Sequence, residues 1–214
     1  MSSRQDLDLA ARAARLGSAN LVDAMSRIHG HRAHMLALTS PQPDRSLFGP
    51  AATIAYMPYR DDLPQAAGKF TELFYEAIGQ SPAGRVLVLS SGGHPDASHG
   101  GGTKLSRVAG HRLAGVLTDG RLRDFGELRD HGFATWCRGE ATRWGGDTVM
   151  PYAASVAVEV AGVCVVPGDY VFADAGGALV IPEASLDRVL EEADKVDAEE
   201  ADAASQIRKE RLPQ

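Results

Sequence analysis

The run Arg85-Val-Leu-Val-Leu-Ser90, passing directly into Ser91-Gly92-Gly93, constrains the fold more than any other stretch of this chain. Unbroken apolar residues with no polar alternation make a strand buried on both faces, which needs a sheet covered on both sides. The glycines end it at a loop. Thr103 to Leu113 then carries Leu105, Val108 and Ala109 at helical spacing, and Ala114-Gly-Val-Leu-Thr118 returns as a second buried strand. A β-loop-α-β unit of this kind predicts parallel pairing through a right-handed crossover, and therefore an α/β fold.

The flanking segments extend that unit. Leu7–Leu16 and Ala19–Arg27 have the spacing of two helices, so the N-terminus is expected to be helical. Ala51–Tyr56, after the Gly49-Pro50 turn signal, reads as a strand, and Gln65–Ile78 as a helix. Asp119-Gly120 marks a turn, Asp124–Asp130 a short helix with acids near its start, and Phe133–Cys137 a further strand. From Ser155 to Phe172 apolar residues alternate around Gly162 and Pro167-Gly168, predicting antiparallel strands and thus a mixed sheet. Glu183–Arg211 has only Leu186, Val189, Leu190, Val196 and Ile207 as clear apolar contacts, which predicts a long, largely exposed C-terminal helix that docks on another subunit. With 214 residues, 44% of them hydrophobic, a single domain spanning 1–214 is expected.

The formal charge of −6 and the lack of a long Lys/Arg run argue against direct nucleic-acid binding and for a small-molecule partner. No stretch approaches the roughly eighteen consecutive apolar residues of a membrane helix, and the first turns lack the apolar core of a signal peptide. A cytoplasmic location without membrane contact is the default expectation. The two cysteines, Cys137 and Cys164, lie in apolar runs without metal-ligand spacing and are expected to be buried thiols.

The densest chemical constellation is Asp119-Gly-Arg-Leu-Arg-Asp-Phe-Gly-Glu127, directly after a buried strand. The carboxyl end of a strand is where an α/β fold opens its crevice. There Arg123 offers a planar fork for a carboxylate, and Asp124 a hard oxygen ligand for Mg²⁺ or Mn²⁺. The competing reading is a surface ion pair at a helix start. In Gly93-His-Pro-Asp-Ala-Ser-His99, the side chains His94, Asp96 and His99 are either acid/base groups and metal ligands or a polar loop with two solvated histidines. Glu127 is either near a metal or a solvated first-turn acid. Gly100-Gly-Gly-Thr-Lys104 lacks the order of a nucleotide-binding phosphate loop. Trp136 and Trp144 are expected in the core or at an interface.

Gly115-Val-Leu-Thr-Asp-Gly-Arg-Leu-Arg-Asp-Phe-Gly-Glu-Leu128 closely resembles the RraA-like family, which includes class II 4-hydroxy-4-methyl-2-oxoglutarate aldolases. Asp23-Ala24, Gly49-Pro-Ala-Ala-Thr53, Gly92-Gly93, Pro167-Gly-Asp-Tyr-Val-Phe-Ala-Asp174, Gly177 and Pro182 follow in the family's order, so the resemblance spans nearly the whole chain. It implies a single-domain αββα-type sandwich, assembled into homotrimers or homohexamers with sites between subunits. It also implies Mg²⁺ or Mn²⁺ at Asp124, and Arg123 on the carboxylate of a small anionic 2-oxo acid. Gly92 and Gly93 would supply backbone N–H groups, and Glu199 or Glu200 of a neighbour's helix would hold water at the metal.

The chain departs from the aldolase pattern at Gly102, where those enzymes carry an acid implicated in moving protons. The implied activity is a metal-dependent carbon–carbon lyase, acting by retro-aldol cleavage or oxaloacetate-type decarboxylation through a pyruvate enolate. The alternatives within the resemblance are a non-catalytic regulator that binds ribonuclease E, and an enzyme acting on another small oxyacid, including by hydrolysis. A methyltransferase role would need a Gly-rich cofactor loop opening a helix, which this sequence does not present in that setting.

Overall fold

The computed structural model describes residues 4–63 and 69–210, with side chains from residue 7 onward. In chain order the elements are α1 (Arg4–Ile28), β1 (His34–Met35), β2 (Leu47–Pro58), α2 (Phe70–Ile78), β3 (Val86–Leu89), β4 (Ser98–Gly100), α3 (Gly102–Gly110), β5 (Gly115–Thr118) and β6 (Arg121–Leu122). There follow α4 (Phe125–Asp130), β7 (Ala134–Trp136), β8 (Val149–Ala154), β9 (Val158–Val160), β10 (Val163–Val165), β11 (Tyr170–Asp174), β12 (Gly177–Ile181) and α5 (Leu186–Ile207).

Among the described residues the main sheet has eight strands in the order β1-β12-β11-β2-β3-β5-β7, with β8 also paired to β2. The buried runs behave as their composition demands: every residue of β3 and β5 is buried, and these strands pair in parallel, as do β2 with β3 and β5 with β7. The remaining pairings within this sheet, at β1, β11, β12 and β8, are antiparallel, so the sheet is mixed. The long β2 makes this possible. Its start pairs with β11, its middle with β3 and its end with β8.

Alternation along the strands sorts side chains into layers. Ala52, Ile54, Leu87, Leu89 and Val116 share one cluster with Phe74 of α2, Leu105 and Val108 of α3, and Leu128 of α4. Val86, Val88, Leu117 and Val171 join Val158, Val160, Val163 and Val165 on the other face, so the antiparallel β9–β10 ribbon forms a second β layer. The mixed α/β sandwich, its helical N-terminus and its long C-terminal helix all match the sequence expectation.

Several boundaries differ. The two expected N-terminal helices abut as one stretch, broken at Gly17 (φ 75°, ψ 169°), and the second half starts where Ser18 N–H donates to Asp174 Oδ2 at 2.9 Å. The helix expected from Gln65 starts at Phe70 among the described residues; residues 64–68 lie outside them, as does the expected C-terminal end at Arg211. Cys137 is buried, and burial pushes its thiol up to about 11. Cys164, expected to be buried, is exposed. Strand alternation explains this: Val163 and Val165 face the sheet, so Cys164 between them faces outward.

The helix α5 also makes contacts within its own chain. Its stripe of Leu186, Val189, Leu190, Ala193 and Val196 is buried. Most of that stripe packs within the same chain, against Leu16, Leu21 and Met25 of α1 and Phe172, Leu179 and Ile181 of the sheet. Each buried Leu or Val of the stripe contributes about 1.5–3 kcal/mol of transfer energy. Ile207, at its far end, stays 63% exposed.

Ion pairs flank this seam. Arg12 meets Asp194, Arg15 meets Asp194 and Asp197, and Arg27 meets Glu192 and Glu199. Lys195 and Arg27 hold Glu192 below its ordinary value of 4.5, Arg12 and Arg15 hold Asp194 below 3.8, and Arg27 holds Glu199 below 4.5. Depressed carboxylates stabilise the fold above their unfolded values and lose that contribution as pH falls through their folded ones. Thermal melts are therefore expected to show a small loss of stability beginning near pH 4.5. These pairs are exposed, so 1 M salt is expected to reduce that step; a salt-independent step would assign it elsewhere.

Candidate functional site

The parallel strands β2, β3 and β5 point their carboxyl ends toward one edge, where an α/β sheet opens its crevice. Asp119, read from sequence only as a turn residue, ties the loops there together. Its Oδ1 accepts Ser91 N–H at 2.7 Å, while Oδ2 accepts Ser91 Oγ–H at 3.0 Å and Ala161 N–H at 3.1 Å. The decisive local element is the short parallel ribbon β4–β6, with Gly100 opposite Leu122 and Arg123 N–H donating to Gly100 O at 2.9 Å. It sets the glycines before α3 beside the Arg123-Asp124 pair.

Asp124 adopts a left-handed backbone (φ 63°, ψ 48°) at the start of α4, a region sparsely populated except by Gly, Asn and Asp. The unusual conformation turns its carboxylate away from its own helix. Oδ2 instead accepts Gly102 N–H at the N-terminus of α3, at 3.2 Å, and Glu140 Oε1 takes over at α4 by accepting Phe125 N–H at 2.9 Å. The Arg123 guanidinium lies 3.9 Å from Asp124 Oδ2, and both side chains remain partly exposed, at 36% and 39%.

Arg123 and Asp124 line a cleft of about 490 Å³ with Tyr59, Phe70, Lys104 and Arg107. In the sequence Lys104 stood out only as the end of a stretch lacking the order of a phosphate loop, and Arg107 carried no reading. Their spacing on α3 puts them on one helix face beside Thr103, which was the available signal. Burial, with the charges of Arg107 and Arg123, lowers the Lys104 ammonium from its ordinary value. Trp144, expected in the core or at an interface, is 62% exposed and lines this cleft, whereas Trp136 is core.

Gly101 lines the cleft, and the glycines here also permit close approach of the chain. A Cβ on Gly101 would stand 2.5 Å from Asp124 Oδ2, and one on Gly102 would stand 1.9 Å from Glu127 Oε2 and 2.6 Å from Glu127 Cβ. Glu127 thus lies over the first residue of α3. Gly92 packs against the β2 backbone, where a Cβ would meet Tyr56 O at 2.4 Å. Gly93, His94 and Asp96 border a neighbouring cleft of about 600 Å³ that shares Ser98 and Trp144 with the first. Asp96 is held there by Arg121 at 3.2 Å and Arg138 at 3.4 Å.

His99 is buried, contrary to the solvated-loop reading, with Nδ1 3.0 Å from Ala97 O and Nε2 3.1 Å from Ser91 O. Burial lowers its pKa, and the ring pins the loop instead of facing substrate. Glu199 pairs with Arg27 at 2.7 Å in its own chain, while Glu200 is exposed and has no hydrogen-bond or ion-pair partner among the described residues.

Among the described residues no three His, Cys, Asp or Glu side chains gather into a ready-made metal centre. Among the described residues Asp124 is the one acid in the cleft lining, with its carboxylate partly exposed. Mg²⁺ and Mn²⁺ are commonly held by one or two carboxylates, with water and substrate oxygens completing the shell. The residues present therefore fit a water-rich divalent ion at Asp124, and do not form a closed protein cage.

Comparison with known proteins gives the lineage. Legionella pneumophila DlpA is 27% identical over 176 residues, covering 81% of this chain but only 27% of DlpA's own length. A Burkholderia mallei protein provisionally named 4-hydroxy-4-methyl-2-oxoglutarate aldolase is 32% identical over 148 residues, 67% of this chain and 79% of that protein. The crystal structure of Streptomyces coelicolor RraAS2, described as an unusual member of the RNase ES inhibitor RraA protein family, superposes with a TM-score of 0.77 at 26% identity, covering 93% of this chain and 96% of that one. Among the described residues no helix is long and apolar enough to cross a membrane. Residues 18–180 match the family described as RraA-like, Aldolase/RraA, and with the shared fold this establishes that the chain belongs to the RraA-like family.

Proposed function

We propose that this protein is a divalent-metal-dependent carbon–carbon lyase acting on a small anionic 2-oxo acid, by retro-aldol cleavage or oxaloacetate-type decarboxylation. The observation that carries the reading is the cleft itself, whose described lining combines Arg123, Lys104 and Arg107 with one acid, Asp124. Such a lining attracts an anion and leaves one carboxylate to hold a cation beside it.

Arg123 would grip the substrate carboxylate with two parallel N–H bonds, fixing the plane of the adjacent carbonyl. The N-terminus of α3 adds a positive dipole end on the same side. Mg²⁺ or Mn²⁺ held by Asp124 would supply Lewis-acid withdrawal of charge from the substrate oxygen. As the bond breaks, negative charge grows on the pyruvate enolate, and the preplaced guanidinium stabilises it without reorganising. Glu127, lying over Gly102, brings a carboxylate to the side of α3 where the aldolase pattern carries its acid. In an assembled trimer or hexamer, Glu200, which has no partner among the described residues, would be freer than Glu199 to serve a neighbour's cleft, because Arg27 already holds Glu199.

The test is pyruvate release from 4-hydroxy-4-methyl-2-oxoglutarate and from oxaloacetate, with Mg²⁺, with Mn²⁺ and with chelator. Turnover that chelator removes and metal restores is expected. No release above the protein-free background on either compound would sink the reading for these substrates, and would favour a binding role such as the ribonuclease inhibition named for RraAS2, or chemistry on another small oxyacid.

A further inference from the structure

The cleft offers more apolar surface than a pyruvate unit can use. Beside Arg123 and Asp124, its lining includes Tyr59, Phe70, Trp144, Met150 and Pro151. The Phe70 ring is already taken, with Lys104 Nζ 4.8 Å from its centroid. Trp144 and Tyr59 differ: they are 62% and 44% exposed, and among the described residues neither has a ring or cation partner. The chain around Trp144 holds the ring against its own backbone. Gly145 packs on β4, where a Cβ would stand 2.3 Å from Ser98 O, and its carbonyl accepts Thr148 N–H and Val149 N–H, each at 2.9 Å. The indole lies over Gly146, where a Cβ would stand 2.1 Å from Trp144 Cζ2, so a side chain there would push the ring away. Tyr59 is tied to the same loop by its N–H to Thr148 O at 2.9 Å. Trp144 also borders the neighbouring cleft of about 600 Å³, and so stands where the two spaces meet. A large ring left wet at such a place is a surface for a flat apolar group.

We propose that Trp144 and Tyr59 form a subsite for a flat apolar group, of the aryl class, at the distal end of a 2-oxo acid whose carboxylate Arg123 holds. The inference rests on the 2-oxo acid reading above and names the part of the substrate which that reading leaves open. An aryl ring gains by packing on the exposed indole and by leaving water, and a carboxylate at that place gains neither. A second acid group would need a free cation there. In the neighbouring cleft Arg143 is paired with Asp147 and Arg121 with Asp96, so among the described residues its lining has no unpaired guanidinium. The reaction on such a substrate follows the enolate course already described. The bond from C3 to C4 breaks, and its electron pair passes to the enolate. The 4-hydroxyl proton is released as the aryl aldehyde forms, and C3 takes up a proton to give pyruvate. No oxidant or reductant is needed.

Calorimetric titration of the full chain with Mg²⁺ present compares 2-oxobutanoate with 2-oxo-4-phenylbutanoate, which carries the aryl group but has no 4-hydroxyl and so cannot undergo retro-aldol cleavage. The aryl acid is expected to bind about tenfold more tightly. Trp144→Ala should remove that advantage and Trp144→Phe should keep most of it. Pyruvate release from 4-hydroxy-2-oxo-4-phenylbutanoate is expected to show the same split, with Trp144→Ala raising KM about tenfold more than it does for oxaloacetate while kcat changes little. Fluorescence gives a readout that needs no turnover: Trp136 lies in the core, so acrylamide should quench Trp144 in the free protein and the aryl acid should protect it. Equal affinity for the two acids, or an aryl advantage that survives Trp144→Ala, overturns the inference. A Trp144 that acrylamide cannot reach in the free protein overturns it as well, since another copy of the chain then covers the ring. Metal-dependent release from oxaloacetate or 4-hydroxy-4-methyl-2-oxoglutarate without any aryl preference removes the subsite and leaves the lyase reading standing. Aryl binding on Trp144 without release from any substrate keeps the subsite and removes the lyase reading, and the absence of both removes both.

Discussion

Arg123→Ala and Asp124→Ala are each expected to lower kcat/KM for a productive 2-oxo acid by about 10²–10³-fold, the usual cost of removing one preplaced group that meets developing charge. Neither change should unfold the protein. Among the described residues the Arg123 side chain has one long ion pair, 3.9 Å to Asp124, and the bond that seats the segment is made by its backbone N–H to Gly100 O. Asp124→Ala removes the acceptor for Gly102 N–H, and it leaves alanine in a left-handed conformation that suits aspartate better. Asp124→Asn separates these effects, since asparagine tolerates that backbone and keeps an acceptor while losing the charge. Arg123→Lys is expected to recover only part of the loss, because a point charge does not replace a planar fork. Steady-state kinetics beside circular dichroism would decide it. Wild-type kcat/KM in either alanine variant would place the chemistry elsewhere.

Gly102→Asp is expected to destabilise the fold by about 1–3 kcal/mol, the range for overpacking a tight contact, and to fail to raise activity. The reason is steric before it is electrostatic. The new Cβ would fall 1.9 Å from Glu127 Oε2 and 2.6 Å from Glu127 Cβ, so rotating the carboxylate away is not sufficient and α4 must shift against α3. The added charge would also face Glu127 and Asp124. Removing Glu127 at the same time, as Gly102→Asp with Glu127→Gly, is expected to recover most of the stability. Urea titrations of the single and double variants measure this coupling. If the single variant is as stable as the parent, or gains activity with Glu127 still present, then Glu127 does not fill the place left at Gly102.

Much of the architecture was legible because it depends on local rules. The runs Val86–Leu89 and Gly115–Thr118 have no polar face to offer solvent, so they could only be central parallel strands, and they are. Alternation around Gly162 fixed the β9–β10 ribbon, yet the same alternation was not carried through to Cys164, which faces outward between two inward valines. The apolar stripe of α5 was visible; what it packs on was not. A stripe specifies that a helix must dock and says nothing about which surface receives it, and here α1 of the same chain does.

By itself the sequence determined the α/β class, the mixed sheet, and the Arg123-Asp124 pair at the carboxyl end of a buried strand, because each follows from residue order within one or two elements. Only the tertiary structure decided the composition of the cleft. The β4–β6 ribbon brings segments from separate parts of the chain into register, so that Lys104 and Arg107 of α3 join Arg123 while Glu127 covers Gly102. It also buried His99 and placed Gly93, His94 and Asp96 on a neighbouring cleft. The physical reason is that a site is a set of distances between side chains far apart in sequence, and those distances are fixed by strand pairing and packing, which no local spacing encodes.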